Sequence, residues 1–368
     1  MKLHVVCLDQ PYPPVYGGAI DMYYKLCALH DAGVQLILHI FLHHGNRETE
    51  LTKLSDEIYY YKRNVGLRSQ LSLLPYNVLS RNDSTLINDL CKDDAPILFE
   101  GIQTCYYLSD NRLKDRTKMV RMHNVEYDYF RQFGKSCKGW RKVFYLTEAF
   151  KLKAFEYNLS HADRILPITD ADTEYYRRTF PHNDVRLLNC FFDDSVTTLG
   201  NATKPYILYH GNLAIIENIN TVNFLLDKVA PHLPHGYSLI IAGRKPSDAM
   251  MEKAKRVPGV RIIPDPSGEE MDRLICEAHI NLLLTFQPTG IKLKLLNALV
   301  KGHGHCIANS HMLHGNSLGE ICCEAETPEE IIGIIGKLKD VHLTEQQLAD
   351  RRMHIKQLKY NDISSIIA

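Results

Sequence analysis

The chain has 368 residues, which at about 150 residues per domain implies two or three domains. Hydrophobic residues make up 45% and charged residues 23%, a globular balance that excludes disorder, collagen and coiled coil. Lys+Arg and Asp+Glu are both 43, so no net positive field exists and nucleic acid is not an expected partner.

No stretch reaches the ~18 apolar residues that a membrane span needs. The opening MKLHVVCLDQPYPP has too short an apolar part for a secretion signal. Ten cysteines are scattered with no Cys-x-x-Cys pair and read as reduced thiols. The expected location is the cytoplasm, with the inner membrane surface as an alternative. That alternative comes from residues 112–153, where twelve Lys or Arg face four acids, with Trp140, Phe144 and Tyr145 interleaved. A solvated helix face is the favoured reading of this stretch, and peripheral contact with anionic lipid the other.

Short runs rich in Val, Ile and Leu alternate with longer amphipathic stretches. In the first half the expected strands are Leu3–Leu8, Val34–Phe41, Ile58–Tyr61, Pro96–Phe99, Lys118–His123 and Arg164–Ile168. Helices are expected between them at Ala19–Ala32, Thr85–Lys92, Val125–Phe133, Arg141–Ser160 and Asp170–Thr179. The second half repeats the scheme. Its strands are Tyr206–Tyr209, Tyr237–Ala242, Val260–Ile263, His279–Phe286 and His305–Ala308. Its helices are Asn218–Ala230, Ser247–Arg256, Gly268–Glu277, Ile291–Lys301, Thr327–Lys339 and Thr344–Tyr360.

Continuous apolar strands separated by helices predict parallel sheets covered on both faces. Phe191 to Lys204 is short, polar and unpatterned, and divides the chain into two doubly wound, Rossmann-like α/β domains. The expected boundaries are 1–195 and 205–340, with 341–368 returning to the first domain. Ligands of such folds bind beyond the carboxyl ends of the strands, which puts the expected site in a crevice between two facing domains.

Five motifs fall at those strand ends. The loop QPYPPVYGG precedes a helix that opens near Gly17 and Gly18, where the backbone can approach a ligand and helix N–H groups face outward. A tight turn is the alternative. The strand Lys118–Met122 runs into His123 and Asn124, an imidazole and an amide placed to meet a sugar hydroxyl or simply to cap the next helix. Gly211 and Asn212 end another strand, with Asn218 following, and Arg244 and Lys245 end the next. The fifth motif is the most informative. A strand stops at Thr289 and Gly290, and Lys292 and Lys294 stand in the first turn of the helix after it. Cations are unfavourable at a helix N-terminus unless an anion compensates them, which points to a bound diphosphate. Asn297 lies one turn further on.

Other chemistries find little support. There is no Gly-x-Gly-x-x-Gly fingerprint, Walker loop or Gly-x-Ser-x-Gly elbow. His303, His305, Cys306, His311 and His314 cluster without a common zinc spacing, so no metal site is expected.

Taken in order, the Gly-Gly loop, HNVEYDYF, EAFKLKAFEYNLSHADRILPIT, YHGN followed by EN, IIAGRKP and TGIKLKLLNALVKG resemble the GT-B glycosyltransferases of the retaining family four. The branch is one associated with Bacteroidetes surface-polysaccharide clusters. The resemblance runs from Leu3 to about Ile335. It implies transfer of a sugar from a nucleotide-diphosphate donor to a saccharide or lipid-linked acceptor, retaining and metal-independent, with the nucleotide sugar as co-substrate and no cofactor. It implies that Gly17 and Gly18 lie by the diphosphate and acceptor and that His123 contacts the transferred sugar. Gly211, Arg244, Lys245, Thr289, Gly290 and Lys294 would surround the donor phosphates. The sequence departs from the family at Asn297, where many members carry a ribose-binding Glu. A non-catalytic nucleotide or glycan binder and a sugar-nucleotide epimerase on the same fold are the alternatives.

Overall fold

A computed structural model describes residues 1–14, 16–42, 49–66, 72–195, 203–286, 293–314 and 317–367. The chain divides into two compact units. One comprises Met1–Phe192 with Tyr360–Ala368, the other Asp193–Lys359.

The first unit is built on strands β1 (Lys2–Cys7), β2 (Gln35–Leu42), β3 (Glu57–Lys62), β4 (Ile97–Glu100), β5 (Lys118–Met122), β6 (Arg164–Pro167) and β7 (Asp184–Val185). They pair in parallel in the order β3-β2-β1-β4-β5-β6-β7. Helices α1 (Gly17–Asp31), α2 (Ser84–Leu90), α3 (Glu126–Ser136), α4 (Gly139–Phe155) and α5 (Asp170–Thr179) cover it. Alternation along each strand feeds two cores. On β4, Ile97 and Phe99 pack with Leu152 of α4 and Tyr176 of α5, whereas Leu98 packs with Met22 and Leu26 of α1. Both faces being buried is why these strands read as unbroken apolar runs. The two-residue β7 escapes a reading that needs at least four residues of pattern.

The second unit contains β8 (Lys204–Asn212), β9 (Ser238–Arg244), β10 (Val260–Pro264), β11 (Ala278–Leu283), β12 (His305–Ala308) and the short β13 (Cys323–Glu324). Their order is β10-β9-β8-β11-β12-β13, again all parallel. Helices α6 (Ile216–Phe224), α7 (Asp248–Lys255), α8 (Gly268–Glu277), α9 (Leu293–Lys301), α10 (Pro328–Leu338) and α11 (Glu345–Gln357) flank it. Ser247 and Ser267 cap α7 and α8, and Thr327 and Thr344 open α10 and α11 with complete capping boxes. In each sheet the winding direction reverses beside the first strand, between β1 and β4 and between β8 and β11.

One boundary differs from the expectation. Residues from 341 do not return at once to the first unit: α11 belongs to the second. The reason is Arg351, buried and donating from its guanidinium to the Gly302 and Gly304 carbonyls, with Leu348 and Ile355 buried beside it. The chain rejoins the first unit only from Tyr360, where Asn361 donates to the Phe192 carbonyl (3.2 Å) and accepts from the Phe192 N–H (3.0 Å). Among the described residues, no helix is long and apolar enough to cross a membrane.

Candidate functional site

The carboxyl edge of the first sheet carries a buried charged cluster around His123. Strand parity assembles it. On β5, Met119 faces α1, so Arg121 and His123 face the same way; on β4, Leu98 does, so Glu100 does too. Helix α1 meets them with Asp21 and Lys25, one turn apart and beside buried Met22 and Leu26. The Lys25 ammonium donates to Asp21 Oδ2 (3.0 Å) and lies 2.8 Å from Glu100 Oε1. Arg121 donates to Asp21 through Nη2 (2.8 Å) and Nε (3.1 Å). His123 Nε2 lies 3.2 Å from Glu100 Oε2, and its Nδ1 lies 3.7 Å from Asp21 Oδ2.

Two fixed cations therefore balance two carboxylates, and a burial cost that would otherwise be prohibitive is met. Burial pushes both carboxyls up, but the cations around them win. Arg121, Lys25 and His123 hold Asp21 far below the usual range, and Lys25 and His123 hold Glu100 down. Arg121 also donates to the carbonyls of Leu188 and Asn189, and the Phe191 N–H donates to Asp21 Oδ1 (2.8 Å). The segment leaving the sheet is thus tied to the cluster. Asp21, Glu100 and His123 offer ligand atoms within 4.8 Å of one another. Their carboxylates are already neutralised by Lys25 and Arg121, which suits them to orient His123 rather than to bind a cation.

Asn124 follows His123, its amide 3.5 Å from Glu126 Oε1. Glu126 is buried, and burial raises its carboxyl above the ordinary value. Burial likewise pushes nearby Asp172, in the first turn of α5, up to about 6. Gly17 and Gly18 open α1 one turn before Asp21, so they stand at the same end of this unit as His123.

At the carboxyl edge of the second sheet, Gly211 of β8 pairs with Gly243 of β9. A Cβ on Gly243 would fall 1.8 Å from the Gly211 carbonyl oxygen, so this close backbone approach requires glycine. Lys294, in the first turn of α9, stands 3.5 Å from the Tyr209 hydroxyl and from Asn218 Oδ1, and 3.4 Å from the Leu284 carbonyl. Asn218 is braced, accepting from the Tyr209 hydroxyl (2.9 Å) and donating to the Asn212 carbonyl (2.9 Å). It serves the frame of the loop rather than presenting a donor outward. Burial, with Lys294 adding to it, pushes the His210 imidazole down to about 3, so it is neutral.

The Asn212 side chain is exposed and accepts from the Ala214 N–H (3.1 Å). Arg244 and Lys245 are also exposed. Lys245 takes a left-handed φ of 53°, its N–H donating to Asp265 Oδ1 (3.0 Å). Asn297 is half-buried on α9. Thr289, Gly290 and Lys292 lie outside the described residues.

Sequence reasoning passed over Asp21, Lys25, Glu100 and Arg121. The signal was present: each is a charge inside an otherwise apolar run, and such a charge needs a partner. It also passed over Thr285 and Asn309. Asn309 accepts from the Thr285 N–H (3.1 Å) and donates to its carbonyl (2.7 Å), while the Thr285 hydroxyl donates to Glu217. These bonds fix the loop that leaves β11 at the winding reversal. Among the described residues, the His303–His314 stretch forms no group of potential metal ligands.

No family model matches the chain. A curated relative from Klebsiella pneumoniae, described as an uncharacterized 44.6 kDa protein in a cps region, is 27% identical over 320 residues, covering 81% of this chain and 80% of its own. Among solved structures, TarM superposes with a TM-score of 0.69 at 11% identity, over 100% of this chain and 97% of its own. WaaG, a glycosyltransferase involved in lipopolysaccharide biosynthesis, gives 0.62 at 10% identity, over 96% and 95%. The lipopolysaccharide outer core galactosyltransferase WaaB gives 0.60 at 14% identity, over 96% and 95%. Two α/β units, each on a parallel sheet and matched along nearly the whole chain, give this protein the GT-B fold of those glycosyltransferases.

Proposed function

We propose that the chain is a glycosyltransferase of glycan or polysaccharide biosynthesis. It takes a sugar from a nucleotide-diphosphate donor held at the edge of the second sheet and passes it to a saccharide or lipid-linked acceptor. Retention of the anomeric configuration and independence of a metal are parts of the same proposal.

The observation that carries the reading is the edge around Gly211, Gly243 and Lys294. Two glycines let the ends of β8 and β9 approach closely and leave that edge without side chains of their own, and an ammonium held by a phenol, an amide and a carbonyl stands at the start of a helix. A diphosphate suits such a place by charge and by size. In the reaction the acceptor oxygen bonds to the anomeric carbon and the bond to the diphosphate oxygen breaks. The acceptor proton leaves with the phosphate. Lys294, with Arg244, Lys245 and Lys292, would stabilise the charge that develops on the diphosphate, the role a metal plays elsewhere. His123, oriented by Glu100 and Asp21, would contact the transferred sugar. The relative in a cps (capsule) region and the fold shared with two lipopolysaccharide transferases support a surface-glycan product.

Asn297 favours a second reading, in which the chain binds a nucleotide or glycan without turnover. Donor hydrolysis, followed as sugar release from the cognate nucleotide sugar, separates the two. The first reading expects turnover by the unaltered chain, donor binding but slow turnover by His123→Ala, and weakened donor binding with slow turnover by Lys294→Ala. Tight donor binding without release or transfer to any acceptor selects the second.

A further inference from the structure

Helix α4 buries Glu148, Ala149 and Leu152 against the first unit. The opposite side of a surface helix is ordinarily polar. Here Trp140, Val143, Thr147, Phe150 and Ala154 follow at alternating spacings of three and four, one exposed stripe along the helix, and Tyr157 continues it into the 3-10 turn beyond. Trp140 is 74% exposed, Val143 66%, Phe150 78% and Tyr157 67%. Leu73, 94% exposed, lines the same groove as Ala154 and Tyr157. Scattered exposed apolar residues are normal, but an ordered stripe of this size marks a contact surface.

Charge identifies what it contacts. From Lys135 to Tyr157 the acids are Glu148 and Glu156, both buried and each paired with a lysine at 2.8 Å. Lys135, Lys138, Arg141 and Lys142 are exposed beside the stripe, with the Arg141 guanidinium 5.9 Å from the Trp140 ring centre. A second copy laid face to face would set these four cations against four more if the helices ran parallel, and against residues 150–157, whose acid Glu156 is buried and already paired with Lys153, if they ran antiparallel. An anionic lipid surface offers the complementary charge and an apolar layer at the depth of the rings.

We propose that α4 docks the protein flat on a bilayer surface rich in anionic lipid, with Trp140, Val143 and Phe150 at the boundary between headgroups and acyl chains. The proposal stands apart from the transferase reading and does not depend on it.

Trp140 is the chain's single tryptophan, so its emission reports the contact directly. The full chain is titrated with vesicles of equal parts phosphatidylglycerol and phosphatidylcholine, and with phosphatidylcholine alone, while co-sedimentation is followed in parallel. Trp140 emission is expected to shift to shorter wavelength with the anionic vesicles, less as salt is raised and not with the neutral ones. Phe150→Ser should weaken partitioning about ten-fold, and Lys142→Gln about five-fold at low salt. Met353→Ser, at an exposed apolar residue of the second unit, should leave it unchanged. All three positions are at the surface, so melting should stay as in the unaltered chain. Absence of both emission shift and co-sedimentation with anionic vesicles overturns the proposal. So does an equal loss in Met353→Ser, or a lipid-free emission shift that tracks dimerisation in sedimentation velocity.

Discussion

Replacing Lys25 with Met tests the buried cluster most sharply. Lys25 is fully buried and bridges Asp21 at 3.0 Å and Glu100 at 2.8 Å. Met keeps the length of the side chain and removes the charge, leaving two buried carboxylates to one guanidinium. Breaking one partner out of a buried ion pair costs about 3–5 kcal/mol. For a unit of this size that lowers Tm by roughly 6–20 °C. The pH dependence is more diagnostic. In the unaltered chain Asp21 and Glu100 are held below their unfolded values, so their contribution is fully present above the unfolded pKa of about 4 and lost only as pH falls through the lower folded values. Between pH 8 and pH 5.5 these groups contribute no slope. In Lys25→Met, burial of Glu100 no longer meets an ammonium, so the folded protein takes up a proton on Glu100 as pH falls. Its stability then rises toward pH 5.5, and the gap to the unaltered chain narrows. Urea unfolding of both proteins at pH 8, 7 and 5.5 measures that gap, with slopes from groups common to both cancelling. A gap that stays constant, or a variant as stable as its parent at pH 8, refutes the balanced-cluster account.

Three further outcomes are expected. Lys294→Ala removes a charge-assisted bond worth about 1.5–3 kcal/mol and should weaken nucleoside diphosphate binding about 10- to 100-fold by calorimetry; unchanged affinity would remove Lys294 from the phosphate seat. Gly243→Ala forces the Gly211 strand end to shift and should cost about 1–3 kcal/mol together with nucleotide binding, whereas Gly333→Ala, with open space around it in α10, should stabilise by about 0.5–1 kcal/mol. Asp172, raised to about 6, binds a proton more readily folded than unfolded, so its contribution is lost as pH rises through about 6. Asp172→Asn should therefore add on the order of 1–2 kcal/mol at pH 8 and nothing at pH 4; a gain equal at both would contradict the assignment.

Most of the fold was legible because its strands are buried on both faces. An apolar run such as IIAG or INLLL, bounded by turns and set between amphipathic helices, leaves little choice but a parallel strand. What escaped lacked length or local pattern: β7 and β13 have two residues each, and α11 is tied to the second unit by Arg351, Arg352 and two buried aliphatic side chains whose partners lie far off in sequence. At the candidate sites, sequence named residues at strand ends, where position alone is informative. It missed Asp21, Lys25, Glu100 and Arg121 because their meaning is relational. Each looks like an intruder in its own segment, and only strand parity together with the face of α1 brings them together. Asn218 shows the converse, since an amide at a loop looks available until Tyr209 and the Asn212 carbonyl are seen to occupy it.

The central claim is that the second unit seats a nucleoside diphosphate at Gly211, Gly243 and Lys294. Thermal unfolding in the presence of EDTA, with UDP, GDP, CMP and their sugar conjugates, tests it directly. A ligand at about 100 times its Kd adds about 2.7 kcal/mol, several degrees in Tm. The account predicts a shift with one nucleotide class that Lys294→Ala cuts to about half or less and His123→Ala keeps. A cooperative melt that no nucleotide moves, or a shift that Lys294→Ala leaves intact, would contradict it.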